Sequence, residues 1–146
     1  MKIAILGAGA WGTALAIALS ARHDIALWAR NAAAIEEMCA LRRNARYLPD
    51  VSLPAAVMTT AGFDNALDGA GLALIATPVS GLRGMLIALK GSNAASSVPV
   101  VWACKGFEAE TAALAHQVVA EVLGASRICG ALSGPSFAQE VAAGQP

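Results

Sequence analysis

Short unbroken apolar runs alternate along this chain with longer stretches in which apolar residues recur at helical spacing. The first run, Lys2-Ile3-Ala4-Ile5-Leu6, predicts a strand, and the Ala/Leu/Ile-rich stretch beyond a glycine turn predicts a helix running to Arg22. A second strand is predicted over residues 24–29. A helix over 32–43 follows, with Ile35, Met38 and Cys39 at helical spacing and the basic pair Arg42-Arg43 at its end, where the helix dipole favours cations. Pro49 and Pro54 make residues 44–54 read as a loop. A short strand at 57–60 and a short helix at 63–67, left through Asp68-Gly69, lead to Leu72-Ala73-Leu74-Ile75-Ala76, a run suited to burial on both faces.

The second half repeats the alternation. Beyond Thr77-Pro78, Ser80 is placed to cap a helix carrying Leu82, Met85, Leu86 and Leu89. Residues 91–97 read as a loop and 98–104 as a strand that tolerates Pro99 only near its start. A helix over 110–123 would align Leu114, Val118 and Val122, and 127–132 forms the last strand. Ser136 and Gln139 have the spacing of a capping box at the start of a final helix. Strands and helices alternating with short connections predict an α/β fold, a doubly wound, mainly parallel sheet with helices on both faces. Ligands of such sheets lie beyond the carboxyl ends of the strands, so the turns after Leu6, Ala29, Ala76, Cys104 and Leu132 should share one edge.

Composition narrows the function. The 146 residues suit one domain with a sizeable core; 57% are hydrophobic and 14% charged, much of the excess being alanine. No segment reaches the roughly 20 continuous apolar residues of a membrane span. Ten basic and ten acidic residues cancel, leaving no global field for nucleic acid or anionic lipid, so an anion must be held locally. Cys39, Cys104 and Cys129 are far apart and read as small buried hydrophobes, and with His23 and His116 isolated no metal site is expected. The first residues also have the outline of a secretory leader, an apolar run ending near Ala18-Leu19-Ser20-Ala21, but three glycines interrupt it. A cytoplasmic location is expected.

The turn Gly7-Ala8-Gly9-Ala10-Trp11-Gly12 carries the chemistry. In this G-x-G-x-x-G spacing between strand and helix, Gly7 permits the sharp turn, Gly9 leaves room for a pyrophosphate, and Gly12 lets the helix pack tightly. The free N–H groups of the helix start suit the phosphates of a dinucleotide. Arg30 stands where the second strand ends, and residues 25–35 contain no acid; an arginine there accommodates the 2′-phosphate of NADP, whereas an acid would take the ribose hydroxyls of NAD. The cofactor is therefore expected to be NADP or NAD. Pro78 could form the floor of the crevice. Lys105, at the end of a strand, could neutralise a phosphate or polarise a carbonyl, or simply be solvated. The Ser136 turn beside Gly134 is either a well-started helix or a site for a phosphate or the cofactor's amide.

Together with that glycine turn and Thr13-Ala14-Leu15-Ala16, three further segments are similar to the bacterial NAD(P)-dependent glycerol-3-phosphate dehydrogenases: Asn44-Ala45-Arg46-Tyr47-Leu48-Pro49, Lys105-Gly106, and Leu132-Ser133-Gly134-Pro135-Ser136-Phe137-Ala138-Gln139-Glu140-Val141. The resemblance runs the length of the chain, and its Tyr-Leu-Pro and S-G-P-S-F-A segments are its most specific parts. It implies a Rossmann-type fold and hydride transfer between sn-glycerol 3-phosphate and dihydroxyacetone phosphate, in the service of phospholipid synthesis. It further implies that Gly7, Gly9, Ala10, Trp11, Gly12, Arg30, Tyr47, Pro78, Lys105 and Ala138 face the cofactor, and that Lys105, Gly134 and Ser136 face the substrate. Residues 1–146 would then be the NAD(P)-binding domain, with the proton-donating lysine in a helical domain of the family that this chain lacks, and a homodimer is expected of the full-length protein. On that view the chain binds cofactor with little turnover of its own.

Two other classes use the same first motif. A hydroxyacid or hydroxyacyl dehydrogenase shares the glycine turn but not the Tyr47 and Ser133–Val141 segments together, and a non-catalytic dinucleotide sensor would be of this size. A last helix with an uncovered apolar face would instead make the chain self-associate.

Overall fold

The apolar runs pair in parallel into one six-stranded sheet in a computed structural model that describes residues 1–134 and 136–145. Strand β1 (Lys2–Leu6) lies in the middle. On one side it pairs with β2 (Asp24–Trp28), which pairs in turn with β5 (Val57–Thr60). On the other side come β6 (Leu72–Ile75), β7 (Val100–Trp102) and β8 (Cys129–Ala131). The order β5-β2-β1-β6-β7-β8 reverses direction between β1 and β6, the switch point of a doubly wound sheet.

Alternation along the strands makes two cores. Ile3, Ile5, Ile25, Leu27 and Leu74 are buried with Leu15 and Ala16 of α1 (Ala10–Leu19) and Met38 of α2 (Ala32–Leu41). Their neighbours Ala4, Leu6, Ala26, Ala73, Ile75 and Val100 are buried in a second cluster. That cluster takes in Leu67 of α3 (Phe63–Leu67), Leu82 and Leu86 of α4 (Val79–Gly91) and Val118 of α5 (Ala115–Leu123). Each buried leucine or isoleucine contributes about 1.5–3 kcal/mol, so a sheet covered on both faces needs no alternation with polar residues. A last helix, α6 (Ala138–Ala142), packs on α1 through Ala14, Leu48 and Ala142.

Several expectations are corrected. Residues 44–54 are not a plain loop: β3 (Arg43–Asn44) and β4 (Leu48–Ser52) form an antiparallel pair of their own, and Pro49 is tolerated because a two-stranded ribbon consists only of edges. Helix α2 stops at Leu41 because Arg42 takes a left-handed conformation, φ 49°. Its guanidinium turns away from the helix end and donates to the carbonyls of Leu53, Pro54 and Val57. Ser80 is no cap, since the helix starts at Val79 with Pro78 at its N-cap position. Residues 93–95 form one 3₁₀ turn inside the expected loop.

The helix predicted from residue 110 begins only at Ala115. Before it, Phe107 bridges Leu114, leaving Leu114 exposed rather than on the buried stripe of Val118 and Val122. The capping box sits one residue later than predicted: Phe137 is the N-cap, and its N–H donates to the Glu140 carboxylate at 3.4 Å. Cys39 and Cys129 are exposed, not buried, and Cys104 is intermediate, where burial pushes its thiol pKa up. Among the described residues no helix is long and apolar enough to cross a membrane, and no cluster of His, Cys, Asp and Glu could hold a metal.

Candidate functional site

The parallel register brings the strand ends into one row: Thr60, Trp28, Leu6, Ile75, Trp102 and Ala131 are successive partners. The turns beyond them therefore share an edge, as expected. At the switch point Gly7 follows β1 while Ala76-Thr77-Pro78 follows β6, and a cleft of about 1280 Å³ opens between them. That exceeds the usual volume of a small-ligand pocket, as an extended dinucleotide requires.

The three glycines do different things. Gly7 has φ +120°, and a Cβ there would lie 3.0 Å from the Ala76 carbonyl carbon. A Cβ on Gly12 would lie 1.9 Å from the Gly7 carbonyl oxygen and 3.1 Å from the Ala76 Cβ, so α1 closes directly onto the turn and the end of β6. Around Gly9 nothing stands within 4 Å of the Cβ position. The turn is filled from behind and open in front, where an anion would approach the backbone.

Walls for the cleft come from elements distant in sequence. Arg30 lines it, and so do Arg43, expected only at a helix end, and Arg46; Glu37 is the acid among the described lining residues. Three arginines against one carboxylate make a cationic wall in an otherwise neutral chain. Tyr47 is 47% exposed on the same wall, with the Arg46 guanidinium carbon 5.2 Å from its ring centroid. The apolar side is Trp28 and Phe63, packed edge to face at 5.2 Å, with Trp28 Nε1 donating to the Ala61 carbonyl. An aromatic side chain at the end of the second strand was the available signal for Trp28. Arg43 and Arg46 stand at no fixed offset from the glycine turn, and the ribbon β3–β4 brings them to the cleft.

A smaller cleft of about 350 Å³ adjoins the first through Gly9, Thr77 and Pro78, and adds Ala10, Trp11 and Ala103. Further along the edge, Lys105 is exposed and its Nζ donates to the Gly134 carbonyl at 2.9 Å. The structure thus joins two of the three residues expected at the substrate. Ser136 is exposed nearby in sequence but does not cap the helix, and Ala138 packs into the contact between α6 and α1. Pro135 lies outside the described residues.

The segment after Lys105 is tied down at its far side. Arg83 of α4 donates through Nε and Nη2 to Glu108 at 2.8 and 2.9 Å, and to Glu121 of α5 at 2.9 and 3.0 Å. Those donors, and then the Thr111 hydroxyl, hold the Glu108 carboxyl down to about 2. The folded value lies below the unfolded one, so the stabilisation is present above about pH 4.3 and is lost as pH falls toward 2. Urea unfolding at about pH 6 and about pH 3 should therefore show a larger acid loss in the native protein than in Arg83→Met. Equal losses would mean the pair does not hold the segment.

Residues 2–146 match the family described as "NAD-dependent glycerol-3-phosphate dehydrogenase N-terminus". Glycerol-3-phosphate dehydrogenase [NAD(P)+] of Dechloromonas aromatica is 52% identical over 146 residues, and that of Methylibium petroleiphilum 56% over 151. Each match takes in the whole of this chain and 44% of the relative. The crystal structure of glycerol-3-phosphate dehydrogenase from Coxiella burnetii superposes with a TM-score of 0.89 at 34% identity, over 99% of this chain and 44% of that one. The chain therefore spans less than half the length of these relatives.

Proposed function

The chain belongs to the NAD-dependent glycerol-3-phosphate dehydrogenase family, and from that membership we propose that its cleft binds NADP or NAD as the cofactor-binding unit of such an enzyme. The observation that carries this is the glycine turn, blocked behind Gly7 and Gly12 and open at Gly9 on the switch-point cleft. The pyrophosphate lies at the turn, where backbone N–H groups and the start of α1 meet it without reorganisation. The adenosine end lies between Arg30 and the Trp28–Phe63 pair, and Arg30 takes the 2′-phosphate when there is one. Trp11 and Pro78 bound the neighbouring cleft for the nicotinamide end.

The bound nicotinamide supplies the hydride chemistry that interconverts sn-glycerol 3-phosphate and dihydroxyacetone phosphate. What this chain supplies is orientation and charge: Lys105, held beside Gly134, faces the substrate with Ser136. Residues 1–146 act as the NAD(P)-binding domain, and a helical domain supplies the proton donor. In the cell the enzyme works in the cytoplasm as a homodimer, providing glycerol 3-phosphate for phospholipid synthesis.

Calorimetric titration of the chain with NADPH and NADH, each with and without dihydroxyacetone phosphate, tests the reading. NADPH binding tighter than NADH is expected, and Arg30→Ala should weaken NADPH by about tenfold more than NADH, the worth of one charge-assisted contact. Equal losses would remove Arg30 from the 2′-phosphate. Absence of binding by the native chain would overturn the proposal, and binding indifferent to dihydroxyacetone phosphate would favour a dinucleotide sensor.

A further inference from the structure

Asn44 is a polar side chain buried to 3% exposure between the two halves of the cleft wall. Its Nδ2 donates to the Ala8 carbonyl at 2.9 Å and to the Thr13 hydroxyl at 2.8 Å, while its Oδ1 accepts from the Tyr47 N–H at 3.2 Å. Thr13, on α1, is itself fully buried. One amide thus joins the glycine turn and the first turn of α1, which are continuous in the chain, to the distant ribbon that carries Arg43, Arg46 and Tyr47.

We propose that Asn44 is a positioning residue that sets the cleft's affinity for a dinucleotide by locking the arginine-bearing ribbon to the glycine turn and fixing the Ala8–Gly9 peptide plane. The proposal rests on the cofactor reading above. In a trans peptide the carbonyl oxygen and the following N–H point in opposite directions. With the Ala8 oxygen drawn to Asn44, the Gly9 N–H faces away from it, and the turn presents a donor rather than an acceptor on its other side. The same side chain holds the backbone of Tyr47, so the cationic wall keeps its distance from the turn. A buried amide satisfied at both its ends tolerates no neighbour in its place: aspartate keeps the acceptor for Tyr47 but turns an oxygen onto the Ala8 carbonyl, and valine at position 13 removes one acceptor of Nδ2.

NADPH and NADH dissociation constants would be measured for Asn44→Asp, Thr13→Val and Thr13→Ser in the full chain, well below each variant's melting midpoint. There, lost stability leaves affinity unchanged. Asn44→Asp should weaken both cofactors by about tenfold or more with their ratio preserved. Thr13→Val should weaken both by about threefold, and Thr13→Ser, which keeps the hydroxyl, should restore native affinity. Native affinity in both Asn44→Asp and Thr13→Val would overturn the proposal, as would a changed NADPH to NADH ratio, which would place Asn44 on the ligand's 2′ position. Should Asn44→Asp fail to fold, the Thr13 pair decides. No binding by the native chain overturns the cofactor reading instead, whatever the variants do.

Discussion

Gly12→Ala should lower the thermal midpoint by about 10 °C or more, while Gly9→Ala, three residues earlier, leaves it unchanged. The new methyl carbon at position 12 would stand 1.9 Å from the Gly7 carbonyl oxygen, and Ala76 Cβ blocks its retreat at 3.1 Å. Gly7 has little room to yield, because it lies against the Ala76 backbone, whose carbonyl carbon is 3.0 Å from its Cβ position. The obstacles are largely backbone, so the clash is relieved only by pulling α1 off the sheet. Overpacking of this kind costs about 3 kcal/mol or more, a large share of the 5–15 kcal/mol that holds a domain together. Gly9 has an ordinary φ of −76° and open space at its Cβ position. Its alanine variant should melt like the native protein yet bind NADPH about tenfold more weakly, the methyl standing where the pyrophosphate approaches. Calorimetric melts and titrations of the two variants check both halves. If they lose stability equally, the motif is merely structural; if Gly9→Ala binds normally, the open face of the turn is not the phosphate site.

The parts of this architecture that were legible before the structure share a physical cause. Parallel strands buried on both faces, such as 72–75, must be apolar throughout, and that pattern stands out in a chain. Glycines forced by backbone approach at positions 7 and 12 also leave a fixed spacing. The ribbon β3–β4 left no such trace: its exposed positions are free to be polar or proline, and what secures it is one buried asparagine and Leu48. Residues 110–114 carry helix-favouring alanines, yet the Arg83 tether on Glu108, the Thr111 hydroxyl accepting from the Ala113 N–H, and the Phe107–Leu114 bridge hold them out of the helix. Local propensity is a few tenths of a kcal/mol per residue and yields to such contacts. The site divides the same way. Gly9 and Arg30 sit at fixed offsets within one strand-turn-helix unit, whereas Phe63, Arg43 and Arg46 reach the cleft only because the sheet order puts their elements there.

On the proposed function, Lys105→Met should lower kcat/KM for dihydroxyacetone phosphate in a full-length enzyme carrying this domain by about 10²-fold or more and change the NADPH dissociation constant far less. The backbone delivers this lysine in three steps: β7 ends at Trp102 in the row of strand ends, Ala103 borders the smaller cleft, and Gly106 turns the chain away with φ +101°. On the far side of that turn Glu108 is clamped by Arg83, so the loop is fixed at both ends. An ammonium has three donors, and the Gly134 carbonyl takes one at 2.9 Å. Two remain for a phosphate or a carbonyl oxygen. A charge aimed in advance at the place where negative charge develops is worth about 3–4 kcal/mol, because it needs no reorganisation during the reaction. Lys105→Arg keeps the charge but not the point-like geometry, and should recover only part of the loss. Steady-state kinetics with both substrates varied separates the two roles. A fall in cofactor affinity as large as the fall in kcat/KM would make Lys105 a cofactor contact first, and a loss of less than about threefold in both would leave it a solvated lysine bound to Gly134.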